Sequence, residues 1–308
     1  MTRKITIEKG CYRGQLTTVI CITLACFMIF MGDKMRVAIY DGLLFSVSTI
    51  IPTLFPFFVF SDFWTSAFYI NPNGVVSKCF KKLFNVNGCA VTALLSGLIC
   101  GFPIGVKVAT GLYKENKISK NELKKISGFV NNPSAAFVIS GVGAGIFKDV
   151  RLGLMMYISV IFSSIITGVL FRGKHENIQN TAEIQRQSFN LTNSIINAGI
   201  NSLNVTSCII FFSGIIGITS TLIKAESPLT CISIFLEITN AVKMISKSKN
   251  LTQLGRLTLT AFALGFSGFS VHLQTFCFLP KEISRAEYIL MKLIQGVICA
   301  LSIFIFNM

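Results

Sequence analysis

The residues in this chain that could do chemistry are few and stand in apolar surroundings. Glu237, in the string FLEITN, is a carboxylate inside a stretch long enough to cross a bilayer. A central acid costs about 2.5–3.5 kcal/mol on insertion scales, so Glu237 must face protein or a wet cavity. It either binds cargo, exchanges protons or accepts hydrogen bonds within the bundle; in the last case Glu237→Gln should be nearly silent. Lys107 follows Pro103 by four residues in SGLICGFPIGVK, where Gly101 and Pro103 interrupt an apolar run. A broken helix exposes N–H groups at its restart, so Lys107 beside that end reads as part of an anion site, or else as a lysine snorkelling to the interface. Asn131, Asn132 and Ser134 sit at a second stop and suit either cargo binding or satisfaction of freed backbone groups. In ALGFSGFSVHLQ the polar set Ser267, Ser270, His272 and Gln274 alternates with apolar residues and lines a cavity on this reading. His272 would titrate near neutrality if it is functional.

None of this makes an enzyme. His175 and His272 stand in unrelated contexts, and there is no Ser-His-carboxylate arrangement, phosphate loop or metal spacing. No catalytic residue and no metal ligand are expected, and no cofactor; coupling to protons or to sodium ions stays open.

The elements that must position these residues are membrane helices. Of 308 residues 52% are hydrophobic and 13% charged, against roughly 25% charged in a soluble domain. The uncharged runs 14–32, 42–61, 83–106, 126–147, 152–171, 187–223 and 257–280 reach or exceed the roughly 18–20 residues that span hydrocarbon, where only a helix satisfies its own backbone. The net charge of +15 is spread over short clusters between these runs, which reads as cytoplasmic anchoring and not as a nucleic-acid surface. Lys114, Lys117, Lys120, Lys124 and Lys125 crowd one such loop, expected to be cytoplasmic. Ten cysteines without metal spacing read as reduced packing residues.

A retained first span is expected at about 16–32, then a loop with Asp33, Lys34 and Arg36, and a helix at 43–60 kinked by Pro52 and Pro56. Residues 61–86, with Phe63, Trp64, Phe68 and Tyr69 ahead of Lys78, Lys81 and Lys82, fit a short interfacial helix. Ser119 and Glu122 form a capping-box pattern. Asn190, Asn193, Asn197, Asn201 and Asn204 make an amide stripe ahead of a span near 205–223. A continuous span is expected at 228–246 with Glu237 near its centre, and a last one at 288–306. The expected fold is an all-α polytopic membrane protein of about seven or eight transmembrane helices plus two broken or re-entrant segments. It forms a single domain over 1–308, with halves at about 40–172 and 188–308 and a polar loop at 173–187. Ile118-Ser119-Lys120-Asn121-Glu122 and Ile283-Ser284-Arg285-Ala286-Glu287 follow the two interrupted segments and hint at a repeat, the pattern of a transporter with a midplane site.

IPTLFPFF at 51–58, CGFPIGVK at 100–107, the two caps, FVNNPSAAF at 129–137, LEIT at 236–239 and FSGFSVHLQ at 266–274 resemble, in order, the landmarks of the YlbJ-like sporulation integral membrane protein family. That family is similar to nucleoside-recognition gate proteins and, more remotely, to concentrative nucleoside transporters. The resemblance implies a transporter fold in the cell membrane, at the outer forespore membrane, and a small anionic cargo, dipicolinic acid. A nucleoside or another small anion, or a scaffold without transport, are the alternatives. The chain departs from the family at Ser267-Gly268, where Gly-Gly is common, and at Ala135 and Ala136, which puts cargo specificity in question more than fold. The expected partners are the lipid bilayer and the small anion; assembly into a homo-oligomer stays open.

Overall fold

The computed structural model describes residues 32–67, 74–173 and 190–306, with isolated positions between 18 and 30. The expected first span, Phe68 and Tyr69, and most of the polar loop with His175 lie outside the described residues.

Every regular element among the described residues is helical. Helix α1 (Gly32–Phe45) runs through a π turn (Ser46–Ile50) into α2 (Ile51–Ala67). Asp33, Lys34 and Arg36, expected in a loop, therefore ride the first turns of a 30-residue apolar helix, Gly32–Ser61. The π turn lies directly ahead of Pro52, where the wider winding absorbs a residue that can donate no hydrogen bond. Of the short helix expected within 61–86, Phe63 and Trp64 belong to the end of α2, and α3 (Val75–Phe84) buries Ser77, Phe80 and Phe84 and leaves Lys78, Lys81 and Lys82 exposed. It meets α4 (Val91–Cys100), preceded by the short turn Gly88–Ala90, at 99°.

Next come α5 (Ile104–Lys114), α6 (Lys120–Phe129), α7 (Ala136–Phe147, π-wound), α8 (Val150–Leu170) and α9 (Leu191–Leu222). The chain closes with α10 (Glu226–Leu236), α11 (Ile238–Lys247), α12 (Gln253–Phe266), α13 (Gly268–Phe276) and α14 (Arg285–Phe306). The capping box is formed: Ser119 Oγ accepts from the Glu122 N–H at 3.0 Å, and Glu122 Oε2 accepts from the Ser119 N–H at 2.9 Å.

Five helices among the described residues are long and apolar enough to cross a membrane, or six if the bent pair α3 and α4 counts as one span. The expected seven or eight include a first span outside the described residues; the rest of the difference is that several apolar runs are built from shorter pieces. At about 1.5 Å per residue, α4 to α7, α10 and α11, of 10 to 12 residues each, cover about half of a roughly 30 Å hydrocarbon core. The span expected at 228–246 is one of these, being cut at Glu237 into α10 and α11, which fold back on each other. The amide stripe and the span near 205–223 form one 32-residue helix, α9, whose buried face is Ser194, Ala198, Ser202 and Thr206, while Asn193, Asn197 and Asn204 are exposed.

Small residues set the tightest approaches, as expected where packing and not water drives helix association. A Cβ on Gly265 of α12 would lie 2.8 Å from the Cα of Gly296 on α14. Added methyls on Gly97 of α4 and Gly105 of α5 would both run into the carbonyl of Val130. The hairpin of α4 and α5 is thereby pressed against the end of α6.

Candidate functional site

Four interruptions meet in the interior, and each has a local cause. Between α4 and α5, Gly101 takes φ +84 and ψ −171, a region essentially closed to residues with a Cβ, and Pro103 caps α5. Between α6 and α7, the helix ends at Phe129, the string Asn131-Asn132-Pro133-Ser134 is non-helical, and Ser134 leads the restart, its Oγ accepting from the Phe137 N–H at 3.1 Å. Between α10 and α11, Glu237 is extended at φ −151 and ψ 120. Between α12 and α13, Ser267 and Gly268 both take positive φ.

These interruptions touch in pairs. A Cβ on Gly101 would lie 2.8 Å from Ser134 Cβ, and one on Gly268 would lie 3.2 Å from the Ile238 nitrogen. A hairpin tip thus meets an interrupted helix twice: α4/α5 against α6/α7, and α10/α11 against α12/α13. The two pairs face each other across a cleft of about 530 Å³ counting its open mouth. Gly101, Ser134, Glu237, Thr239, Ser270 and Gln274 give its polar lining. Phe58, Phe102, Phe137, Val205 and Ile209 give an apolar wall. Among the described residues no lysine or arginine lines it.

Five of the ten residues picked out by sequence therefore share the cleft: Gly101, Ser134, Glu237, Ser270 and Gln274. Lys107 does not, because it lies one turn into α5 and is exposed, so it is no part of an anion site here. Pro103 caps α5 beside the cleft without lining it. His272 is fully buried on the opposite side of α13 from Ser270 and Gln274. Its ring meets Phe266, Phe269 and Tyr288 edge to face at 4.8, 5.9 and 5.4 Å, and neither ring nitrogen has a hydrogen-bond partner among the described residues.

Glu237 caps α11: Oε1 accepts from the Thr239 N–H at 2.9 Å and Oε2 from the Asn240 N–H at 2.7 Å. Both oxygens serve backbone donors of its own chain segment and not neighbouring helices. A nearly silent Gln is expected only if the donors come from neighbouring helices; here a glutamine would turn an amide NH₂ towards a backbone N–H.

Asn131 and Asn132 work away from the cleft. Asn132 Nδ2 donates to the Phe129 carbonyl at 2.7 Å and to Ser164 Oγ at 3.2 Å; Asn131 Nδ2 donates to Thr275 Oγ1 at 2.9 Å and Tyr288 Oη at 2.6 Å. They satisfy backbone and join α6, α8, α13 and α14. Sequence reasoning missed the centre of this network, Lys292 on α14, fully buried, with Nζ donating to the Asn131 carbonyl and to Gln295 Oε1, both at 2.7 Å. Gln295 Nε2 in turn donates to Asn132 Oδ1 at 2.6 Å. The available signal was a lysine and a glutamine three apart inside an apolar span.

Half-length hairpins and interrupted helices closing on an internal cleft define an all-helical, polytopic membrane protein. Over 82% of its length the chain is 24% identical to the sporulation integral membrane protein YlbJ of Bacillus subtilis strain 168, in an alignment of 297 residues that covers 72% of that protein. No protein-family model matches the chain, and no solved structure matches it.

Proposed function

We propose that the protein is a membrane carrier for a small anionic metabolite, dipicolinic acid foremost, acting at the outer forespore membrane during sporulation. The observation that carries this reading is the convergence of four helix starts on one cleft: Phe102 before α5, Ser134 before α7, Glu237 and Thr239 at α11, and Ser270 in the first turn of α13. Each start carries about half a positive charge, so four together offset about two negative charges. Glu237 already takes one of them, held by two N–H groups. About one remains for cargo, so a planar dicarboxylate is matched best as the monoanion, with one carboxyl protonated. The aromatic wall of Phe58, Phe102 and Phe137 accommodates a flat ring. The sporulation setting comes from the name of the Bacillus subtilis relative.

A nucleoside is the second reading, favoured by the absence of lysine and arginine from the lining and by Gln274, Ser270 and a carboxylate that can bind neutral donors. Uptake of labelled dipicolinate and of labelled uridine into vesicles reconstituted with the purified protein separates the two. Saturable dipicolinate uptake that falls in Ser134→Ala and Ser270→Ala supports the first; uridine uptake alone assigns the second. Uptake of neither, in protein that still melts cooperatively, leaves the scaffold reading.

A further inference from the structure

Lys292 is a buried amine with no counter-ion. Its ammonium has two acceptors for three N–H groups, the Asn131 carbonyl and Gln295 Oε1. The ion pairs among the described residues lie elsewhere, at Arg36 with Asp33, Lys117 with Glu115 and Lys124 with Glu287. Among the described residues no carboxylate forms an ion pair with Lys292. From α12 comes Arg256, bonded to the Ser246 carbonyl; from α8 come Arg151 and Tyr157, the latter bonded to the Leu98 carbonyl. Helix α6 offers Glu122, which caps its own helix start and accepts from the Asn87 N–H, with Lys120, Lys124 and Lys125. Helix α13 offers His272, and α14 itself Arg285, Glu287, which pairs with Lys124, Tyr288 and Cys299. A buried ammonium without a paired anion carries an uncompensated charge.

The contact Lys292 makes is mechanically placed. Its acceptor is the first carbonyl of the Asn131-to-Ser134 break, and Ser134 lines the cleft three residues on. As an ammonium it ties α14 to that break; as a neutral amine it donates more weakly, and the break is held by Asn131 and Asn132 alone. Nζ already occupies the Asn131 carbonyl and Gln295 Oε1.

We propose that Lys292 is the proton-binding site of this carrier, its protonated form locking α14 to the break before α7 and its deprotonated form, having released the proton to water, freeing that break to move. This deepens the carrier reading by naming its coupling ion. For that reason the closing experiment includes a readout that needs no cargo.

Amide hydrogen exchange over residues 129–137 is followed in the full chain in lipid nanodiscs from pH 6 to pH 9, after correction for intrinsic exchange. Wild type is expected to lose at least tenfold in protection through a single step as pH rises. Lys292→Met should be unprotected throughout, and Lys292→Arg, which stays charged, protected throughout, both without the step. A step that persists in either variant, or its absence from wild type, overturns the proposal; if Lys292→Met does not fold, the arginine variant decides. In vesicles, an inward proton gradient should raise dipicolinate uptake in wild type and not in Lys292→Arg. Wild type that moves neither dipicolinate nor uridine would sink the carrier reading, while the exchange step would still judge Lys292.

Discussion

Glu237→Gln tests the cleft most directly, because the carboxylate has one described task and the change removes half of it. The two oxygens sit 2.9 and 2.7 Å from the Thr239 and Asn240 nitrogens. A glutamine keeps one acceptor and turns an NH₂ towards the other N–H. One charge-assisted bond, worth about 1.5–3 kcal/mol, is lost, and a buried donor is left facing a donor. A net loss of about 2–3 kcal/mol is expected, a shift of about 30–150-fold in the balance between a closed and an open hairpin tip. At about 2–4 °C per kcal/mol the unfolding midpoint should fall by about 4–12 °C in detergent, read by thiol labelling as buried cysteines are exposed. Glu237→Asp keeps two acceptors in a side chain that caps helices well, so it should lose about 1 kcal/mol or less. A glutamine variant as stable as wild type, with the aspartate variant clearly weaker, would refute the capping account.

Gly101→Ala places a methyl 2.8 Å from Ser134 Cβ on a backbone suited to glycine; the strain is about 1–3 kcal/mol. Solute uptake should be lost in protein that still reaches the membrane, and normal uptake would show that the two tips need not touch. Lys107→Ala should leave uptake within about twofold of wild type, since the side chain is exposed outside the cleft; a large loss would bring it back into the site. A reporter fused near Lys120 should read cytoplasmic, given five lysines between 114 and 125. An external signal would invert the orientation.

What could be read from the sequence follows from how local each signal is. The Ser119 to Glu122 cap and the stop ahead of Pro133 depend on neighbours within four residues, and both stand where expected. Gly101 and Gly268 announced interruptions because glycine is a poor helix former, and both take positive φ in the structure. Glu237 was noticed as a costly carboxylate, yet the cut it makes was not, because a glutamate at a helix start also reads as a helix former within a long apolar run. Lys107 was misplaced through its distance along the chain from Pro103, which says nothing of which side of α5 meets the second pair of breaks. Lys292 and its carbonyl partner at Asn131 are 161 residues apart, and Gln295 and Asn132 are 163 apart. No window along the chain brings them together.

On the carrier proposal the cleft attracts its solute through backbone ends and not through lysine or arginine side chains, and that has a consequence for release. A lysine would carry its charge with it whichever way it turned, whereas four helix starts add up only while they point at the same place. Parting the pair at Gly101 and Ser134 from the pair at Glu237 and Gly268 would scatter the attraction without any group changing its charge. Capture and discharge would then be one motion, with the grip on the solute ending as the passage opens.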